Sequence, residues 1–543
     1  TWSKNRFKVR AKRTETNDMQ WLSTSWPGRS IALSIAVLLV AFLPCQVIAV
    51  PRSGELQLHV VDAETGKPLA CRIHLKNERG RPRKVPKKPF LEDHFVFKSP
   101  LQLVLREGNY TFEVECGPEY KTRTGHFKMD RGGTDSKTLH MQRFVNMADE
   151  GWYSGDLYVH RPAKDIDLLM EAEDLYLTQV ITWSDRKNEW NRSRDQLADR
   201  EPKHTERHFA ICGGRDTRES GGIAIFPLST GKTKLPETGF PATTGGTAAQ
   251  YPPTMELAMV WRDQEPVWID AESPATRDLP LWVAHDLIDS VRLANHRYTR
   301  GGIAKQTLNA FPRDPKQYPG ANGLGHWCEN IYYQLLESGI RIPPTAGSGS
   351  GDVGNPLGHN RVYVYGGESF SPTEWWKGLK QGRVIVTNGP LLRALVNGQP
   401  PGHIFQGKPG ETLKLQPEVK LSLKEKADYL EIVKNGRVVQ AVNLGKGAGG
   451  KLPPLAFDES GWFLVRVRAS SDNTHHFATT GPFYVEFDEP RISRRAADFF
   501  GDWVAREANS LATDDPERWR KMQRYYEQAE DFWEKKAAQS TTD

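Results

Sequence analysis

From Gly54 to Arg143 apolar and polar residues alternate in short runs, as in Leu56-Gln-Leu-His-Val-Val61 and Tyr110-Thr-Phe-Glu-Val-Glu115. The runs are separated by turn-forming clusters such as Asp62-Ala-Glu-Thr-Gly66 and Glu107-Gly-Asn109. Alternation at period 2 puts every second side chain on one face, and short strands punctuated this way predict a small antiparallel β-sandwich over residues 51–146. The pattern then changes. Between Gly151 and Leu392 apolar runs (Gln179–Trp183, Gly222–Phe226, Asp289–Ala294) are interspersed with helical stretches over Asn330–Gly339 and Thr373–Gln381. This predicts β/α units around a parallel sheet or barrel over residues 147–392. Alternation returns from Leu413 to Phe487, with a hairpin through Asn435-Gly436, so a second sandwich is expected over 393–488. Past Pro490 the period becomes helical: Trp519, Met522, Tyr526, Ala529 and Trp533 form a stripe at spacings of three and four that reads as a packing face of a helical segment over 489–543.

The first fifty residues read as a targeting extension. Ile31–Leu43 is an apolar run of signal-peptide length, preceded by Arg29 and followed by the small-residue pattern of Val47-Ile-Ala49, with Met19 as a candidate start. Such a run is too short for a permanent transmembrane helix, so a secreted or periplasmic protein is expected, with no stable membrane span after cleavage. Cys45 lacks the small-residue lead-in of a lipidated cysteine. Of the four remaining cysteines, Cys71 and Cys116 are the pair that can staple one small domain.

Composition adds a class limit. The chain has 543 residues, 38% hydrophobic, with a formal charge of only +6, which describes a multidomain globular protein. The basic run Arg79–Lys88 contains no interleaved aromatic residues for base stacking, so it reads as a solvated Pro-rich loop and no nucleic-acid partner is expected.

The chemistry centres on Gly151-Trp-Tyr-Ser-Gly-Asp-Leu-Tyr-Val-His160. A strand ending Asp-Leu-His-Val-His aims one carboxylate and two imidazoles at a common metal, and here Tyr158 stands between Asp156 and His160. A phenol, with an ordinary pKa of about 10, is a poor replacement for neutral imidazole.

That run, with Asp174–Trp183, Asp278–Ala284, Ile288–His296, Arg341–Ser348, Asn360–Tyr365 and Val386–Leu391, resembles the CehA/McbA family of metallohydrolases, part of the polymerase-and-histidinol-phosphatase (PHP) superfamily. The resemblance covers about half of the chain closely. It implies an α/β fold with a PHP-like distorted (β/α)-barrel flanked by N- and C-terminal β-sandwiches, divalent metals at the strand ends, and hydrolysis of an ester, phosphoester or carbohydrate derivative by metal-activated water. Carried over by position, the ligand set is thinned. Tyr158 replaces a histidine, Thr182-Trp-Ser-Asp185 lacks one, Arg215 stands at a glutamate position, and Gly347-Ser-Gly-Ser-Gly351 loses a carboxylate and an imidazole. Arginine cannot ligate a cation. The resemblance leaves Asp156, His160 and Arg215 as candidate catalytic residues, and Asp156, His160, Asp216, Asp270 and His296 as candidate ligands for a divalent metal (Zn, Mn or Fe), one ion or none.

Alternatives stand beside this set. Asp156 and His160 also fit a metal-free hydrogen-bonded network; His285 and His296 fit satisfied core or loop histidines; His204 and His208 fit a solvent-facing helix. Arg161, Arg215 and Arg361 fit direct recognition of an anionic or polyhydroxyl ligand. Trp183, Trp261, Trp268, Trp282 and Trp327 fit a sugar-binding cleft or barrel packing. Two functions are therefore open: an exported PHP-type hydrolase with a reduced site, or a catalytically inactive relative that binds a carbohydrate or cell-surface partner.

Overall fold

The alternating runs of residues 54–143 fold as two facing sheets. One has the order Leu101–Arg106, Ser53–Asp62, Thr134–Met141, and the other Phe90–Leu91, His94–Lys98, Ala70–Asn77, Gly108–Glu115, Arg123–Met129. Leu56, Leu58 and Val60 project from one side of their strand and pack against Ile73, Leu75, Phe95 and Phe97 of the second sheet. The opposite face of that second sheet carries Arg72, His74, Glu113 and Glu115, paired across adjacent strands as Arg72 with Glu115 and His74 with Glu113. The same register sets Cys71 across from Cys116, both as buried free thiols. The computed structural model describes residues 52–184, 207–217, 221–228, 253–264, 266–305, 310–446, 452–469, 471 and 473–543. The leader Ile31–Leu43, Met19, Cys45, Asp185 and His204 lie outside the described residues.

The chain is a mixed α/β protein built mostly of strands, with few helices. Its largest sheet begins at the edge strand Pro344–Ala346 and proceeds through Ser290–Ala294, Val267–Ala271, Ile223–Pro227, Phe209–Asp216, Leu177–Ser184, Trp152–Val159, Arg361–Tyr365 and Val384–Thr387. Pairing is parallel where Leu177–Ser184 and Ser290–Ala294 meet both of their neighbours, and antiparallel at Ile223–Pro227 and at Arg361–Tyr365. The parallel pairing expected from the apolar runs is thus realised in part. Trp152–Val159 is buried at all of its eight positions, as a strand covered on both faces must be. Just beyond the edge strand, the Gly349 N–H donates to the Tyr158 carbonyl and the His160 N–H donates to the Ser350 carbonyl, each at 2.8 Å. The chain after the edge strand is thereby laid against the end of Trp152–Val159.

The sheet does not stop at residue 392. Val384–Thr387 pairs with His476–Thr480, and the ladder continues through Gly461–Ala469, Ala427–Lys434 and Arg437–Asn443. The last two strands form the hairpin expected at Asn435-Gly436, whose φ values of 47° and 73° are the left-handed pair that a two-residue turn between twisted strands requires. Two helices, Arg494–Asp514 and Pro516–Ala538, close the chain. Ser493 Oγ caps the first by accepting from the Ala496 N–H, and Asp515 caps the second by accepting from the Arg518 N–H. Met522, Tyr526, Ala529 and Trp533 of the expected stripe are buried, and the Trp533 ring stacks on Phe500 at 4.8 Å.

Candidate functional site

The Trp152–Val159 strand delivers Asp156 and Tyr158 to the interior, with His160 directly after it. Asp156 is fully buried, and its Oδ1 accepts from the backbone N–H groups of Ser348 (2.9 Å) and Tyr158 (3.1 Å) while Oδ2 accepts from that of Gly358 (2.7 Å). Burial pushes this carboxyl above its ordinary value, against the pull of those donors. Asp156 therefore clasps the 347–358 segment to the strand end. The glycines of that segment are dictated by proximity: a Cβ on Gly347 would lie 2.4 Å from the Tyr158 Cβ, and Gly349, at φ +66°, would bring one to 2.6 Å from the His296 Cβ.

Tyr158 is the centre of the site. Its ring is fully buried, with the rings of His160 and His296 at 4.9 and 5.0 Å and the guanidinium carbons of Arg292 and Arg215 at 4.3 and 5.1 Å from its centroid. Arg215, on Phe209–Asp216, makes a two-pronged ion pair with Glu272 (Nε to Oε1 2.5 Å, Nη2 to Oε2 3.0 Å) and reaches Asp352 at 3.3 Å. Arg292, on Ser290–Ala294, donates to Asp270 Oδ2 at 2.6 Å, and Asp270 Oδ1 accepts from the Ser290 and Thr345 hydroxyls at 2.6 and 2.5 Å. Asp216 accepts from the Thr254 hydroxyl at 2.7 Å.

These contacts set the charges. Burial, reinforced by Arg215 and partly opposed by Asp352 and Glu272, holds His160 down to about 4; burial, offset in part by Glu272, does the same to His296. Burial raises the Tyr158 phenol well above its ordinary value. Glu272, which burial alone would raise, is held down to about 2 chiefly by Arg215. At neutral pH the centre thus comprises two neutral imidazoles, a protonated phenol and two guanidinium–carboxylate pairs.

The predicted residues are brought to one region but not to one point. Asp156, His160, Arg215 and His296 surround or flank Tyr158, whereas Asp270 is bonded to Arg292 and Asp216 to Thr254. Among the described residues no three of Asp156, His160, Asp216, Asp270 and His296 bring ligand atoms within 4.8 Å of one another. Arg292 and Glu272 carry no signal in the sequence, because ion pairing between residues 22 and 57 positions apart leaves no local signature. His285 is a satisfied loop histidine, its Nε2 3.0 Å from the Tyr525 carbonyl. His208 is buried at the entrance to Phe209–Asp216, where the chain joins the sheet instead of a solvent-facing helix. Arg361 donates to the Gly358 and Glu173 carbonyls and braces the fold. Trp261, Trp268, Trp282 and Trp327 are buried core residues, and of the four only Trp327 also reaches the lining of a pocket among the described residues, beside Phe311 and Arg313.

A His/Asp/His group that can hold a metal ion lies elsewhere, on the polar face of the N-terminal sheet. It consists of His74, Asp93 and His94, with the two histidines buried. No spacing motif links His74 to Asp93-His94; only the alternation of Cys71-Arg-Ile-His-Leu75, which turns His74 away from the apolar core, hints at it.

No family model matches the chain, and no curated protein matches it. Among solved structures, it is similar to the Bacillus anthracis TIE protein (20% identity over 20% of this chain and 19% of that one, TM-score 0.14). It is also similar to GBS52, the minor pilin of Streptococcus agalactiae (20% identity over 18% and 47%, TM-score 0.15), and to the pilus-presented adhesin Spy0125 (16% identity over 17% and 28%, TM-score 0.14). The chain spans less than half the length of each, and likenesses at such TM-scores carry no argument about fold or function. Among the described residues no helix is long and apolar enough to cross a membrane.

Proposed function

We propose that the chain is an exported, PHP-like relative of the CehA/McbA hydrolases in which ion pairs have taken the place of the metal cluster, and that it binds an anionic or polyhydroxyl ligand, a carbohydrate or cell-surface component, without hydrolysing it. The observation that carries this reading is the position of Arg215 and Arg292, whose guanidinium groups stand 5.1 and 4.3 Å from the Tyr158 ring centroid, each tied to a buried acid. The two guanidiniums occupy the carboxylates of Glu272 and Asp270 that a divalent ion would need, and Asp156 and Asp270 already accept hydrogen bonds on both of their oxygens. The β/α segments around the sheet between Trp152 and Thr387 support the distorted barrel of that superfamily. A cleft of about 940 Å³ between the N-terminal sheet and the 299–305 and 352–356 segments, which presents the side chains of His74, Arg300 and Asp352 among others, supports a charged or hydroxyl-rich ligand.

The hydrolase reading, with one Zn, Mn or Fe ion at Asp156 and His160, is favoured by the neutral state of His160 and His296, since an imidazole must be unprotonated to ligate. Elemental analysis of untagged wild-type and His160→Ala protein separates the two. The binding reading expects equal metal content in both, no cleavage of aryl esters or phosphoesters, and glycan binding that persists after chelation. Metal that disappears with His160 would overturn it.

A further inference from the structure

We infer that His74, Asp93 and His94 form a binding site for one divalent transition-metal ion of the zinc class, on the polar face of the N-terminal sheet and at the mouth of the cleft. His74 lies on Ala70–Asn77 and His94 opens His94–Lys98; the pairing of Ile73 with Phe95 sets the two histidines opposite each other, with ring centroids 5.0 Å apart. Asp93 lies between them: its Oδ2 is 3.0 Å from His74 Nδ1 and its Oδ1 3.1 Å from His94 Nδ1. The imidazoles are 6% and 3% exposed while the Asp93 side chain is 44% exposed, so three donors are anchored on the protein side and the remaining coordination positions face the cleft. Two imidazoles and a carboxylate suit zinc or iron(II) and disfavour magnesium and calcium, which take oxygen ligands.

Binding requires a tautomer change. Arg300 Nη1 at 2.7 Å, and more distantly Arg72 Nη1 at 3.5 Å, donate to His74 Nε2, which places the ring proton on Nδ1, toward Asp93. Ligation through Nδ1 moves that proton to Nε2, where it meets the Arg300 donor; no proton leaves the ring. Arg300 must then turn away and rest on Glu113 and Glu115, both of which it already pairs with from a side chain 43% exposed. The ion and the Arg300 contact to His74 therefore compete.

The test uses the full chain without a histidine tag, freed of metal by chelator and titrated calorimetrically with zinc, manganese(II) and iron(II). One equivalent of zinc is expected. Asp93→Asn and His94→Ala should weaken it by more than about 100-fold, beyond what is lost when only the surroundings of a ligand change. His160→Ala should bind as wild type, and Arg300→Gln, whose amide oxygen can accept from Nε2–H, should bind about 10-fold more tightly. Asp93 is half exposed, so its asparagine variant keeps the fold as judged by circular dichroism and decides the matter if His94→Ala does not. Absence of saturable zinc binding by wild-type protein, or binding unchanged in Asp93→Asn, overturns the inference. Binding lost in His160→Ala would instead overturn the metal-free reading of the Tyr158 centre.

Discussion

Replacing Arg215 by methionine tests the Tyr158 centre most directly. The side chain lost is replaced by one of comparable length, so the perturbation is the removal of charge. Glu272, 1% exposed, then keeps a buried carboxylate without its two-pronged partner. Stranding one member of a buried ion pair costs about 3–5 kcal/mol, whereas loss of the partly exposed Asp352 contact adds at most about 1 kcal/mol. Removing both charges, in Arg215→Met/Glu272→Met, should recover most of the deficit, because well-packed apolar side chains replace a buried pair at little net cost. The deficit also has a pH signature. Without Arg215, burial raises the Glu272 carboxyl above its unfolded value of about 4.3, so protonation relieves the strain and the single variant approaches wild type as pH falls toward that value. Urea unfolding followed by tryptophan fluorescence at pH 7 and pH 5 measures both effects. A loss below about 1 kcal/mol, or a double variant no more stable than the single one, would refute the reasoning.

Other outcomes follow from geometry already described. His160 and His296 have folded values near 4, below the ordinary histidine value of about 6.5, so the unfolded chain binds protons first and stability falls between these limits by about 1.4 kcal/mol per pH unit for each ring; a melting temperature flat from pH 6.5 to pH 4.5 contradicts this. Oxidation by a disulfide reagent should close Cys71 to Cys116, removing two titratable thiols and raising stability by about 4 kcal/mol for a loop of about 45 residues, and Cys71→Ser should show neither change. Gly347→Ala drives a methyl group to 2.4 Å from the Tyr158 Cβ and should cost about 1–3 kcal/mol, whereas Gly301→Ala, where an added Cβ meets nothing within 4 Å, should disturb Tyr158 not at all; near-ultraviolet circular dichroism and unfolding midpoints report both.

What could be read along the chain was whatever is encoded locally. The Asn435-Gly436 turn needs two left-handed residues and contains them, and the Trp519–Trp533 stripe repeats at helical spacing, so both elements were legible. The helix expected over 330–339 instead runs from Gly323 to Glu337, because Gly323 and Gly325 read as breakers although they serve close packing: a Cβ on Gly325 would lie 2.1 Å from the His475 ring. Mixed strand direction was hidden for a similar reason, since a buried strand is apolar whichever way its neighbours run. At the site, Asp156, His160 and Arg215 were found by motif position. Glu272 as the partner of Arg215, Arg292 over the Tyr158 ring, and the His74–Asp93–His94 group are assembled between segments distant in sequence, which no spacing reveals.

The ladder that runs from Val384–Thr387 into His476–Thr480 has a practical corollary. A fragment ending near residue 392 would leave Val384–Thr387, an apolar strand buried at every position, as a bare margin ready to recruit other chains. The C-terminal part thus covers the margin of the central sheet, and shortened versions should be sought in inclusion bodies before they are sought in solution.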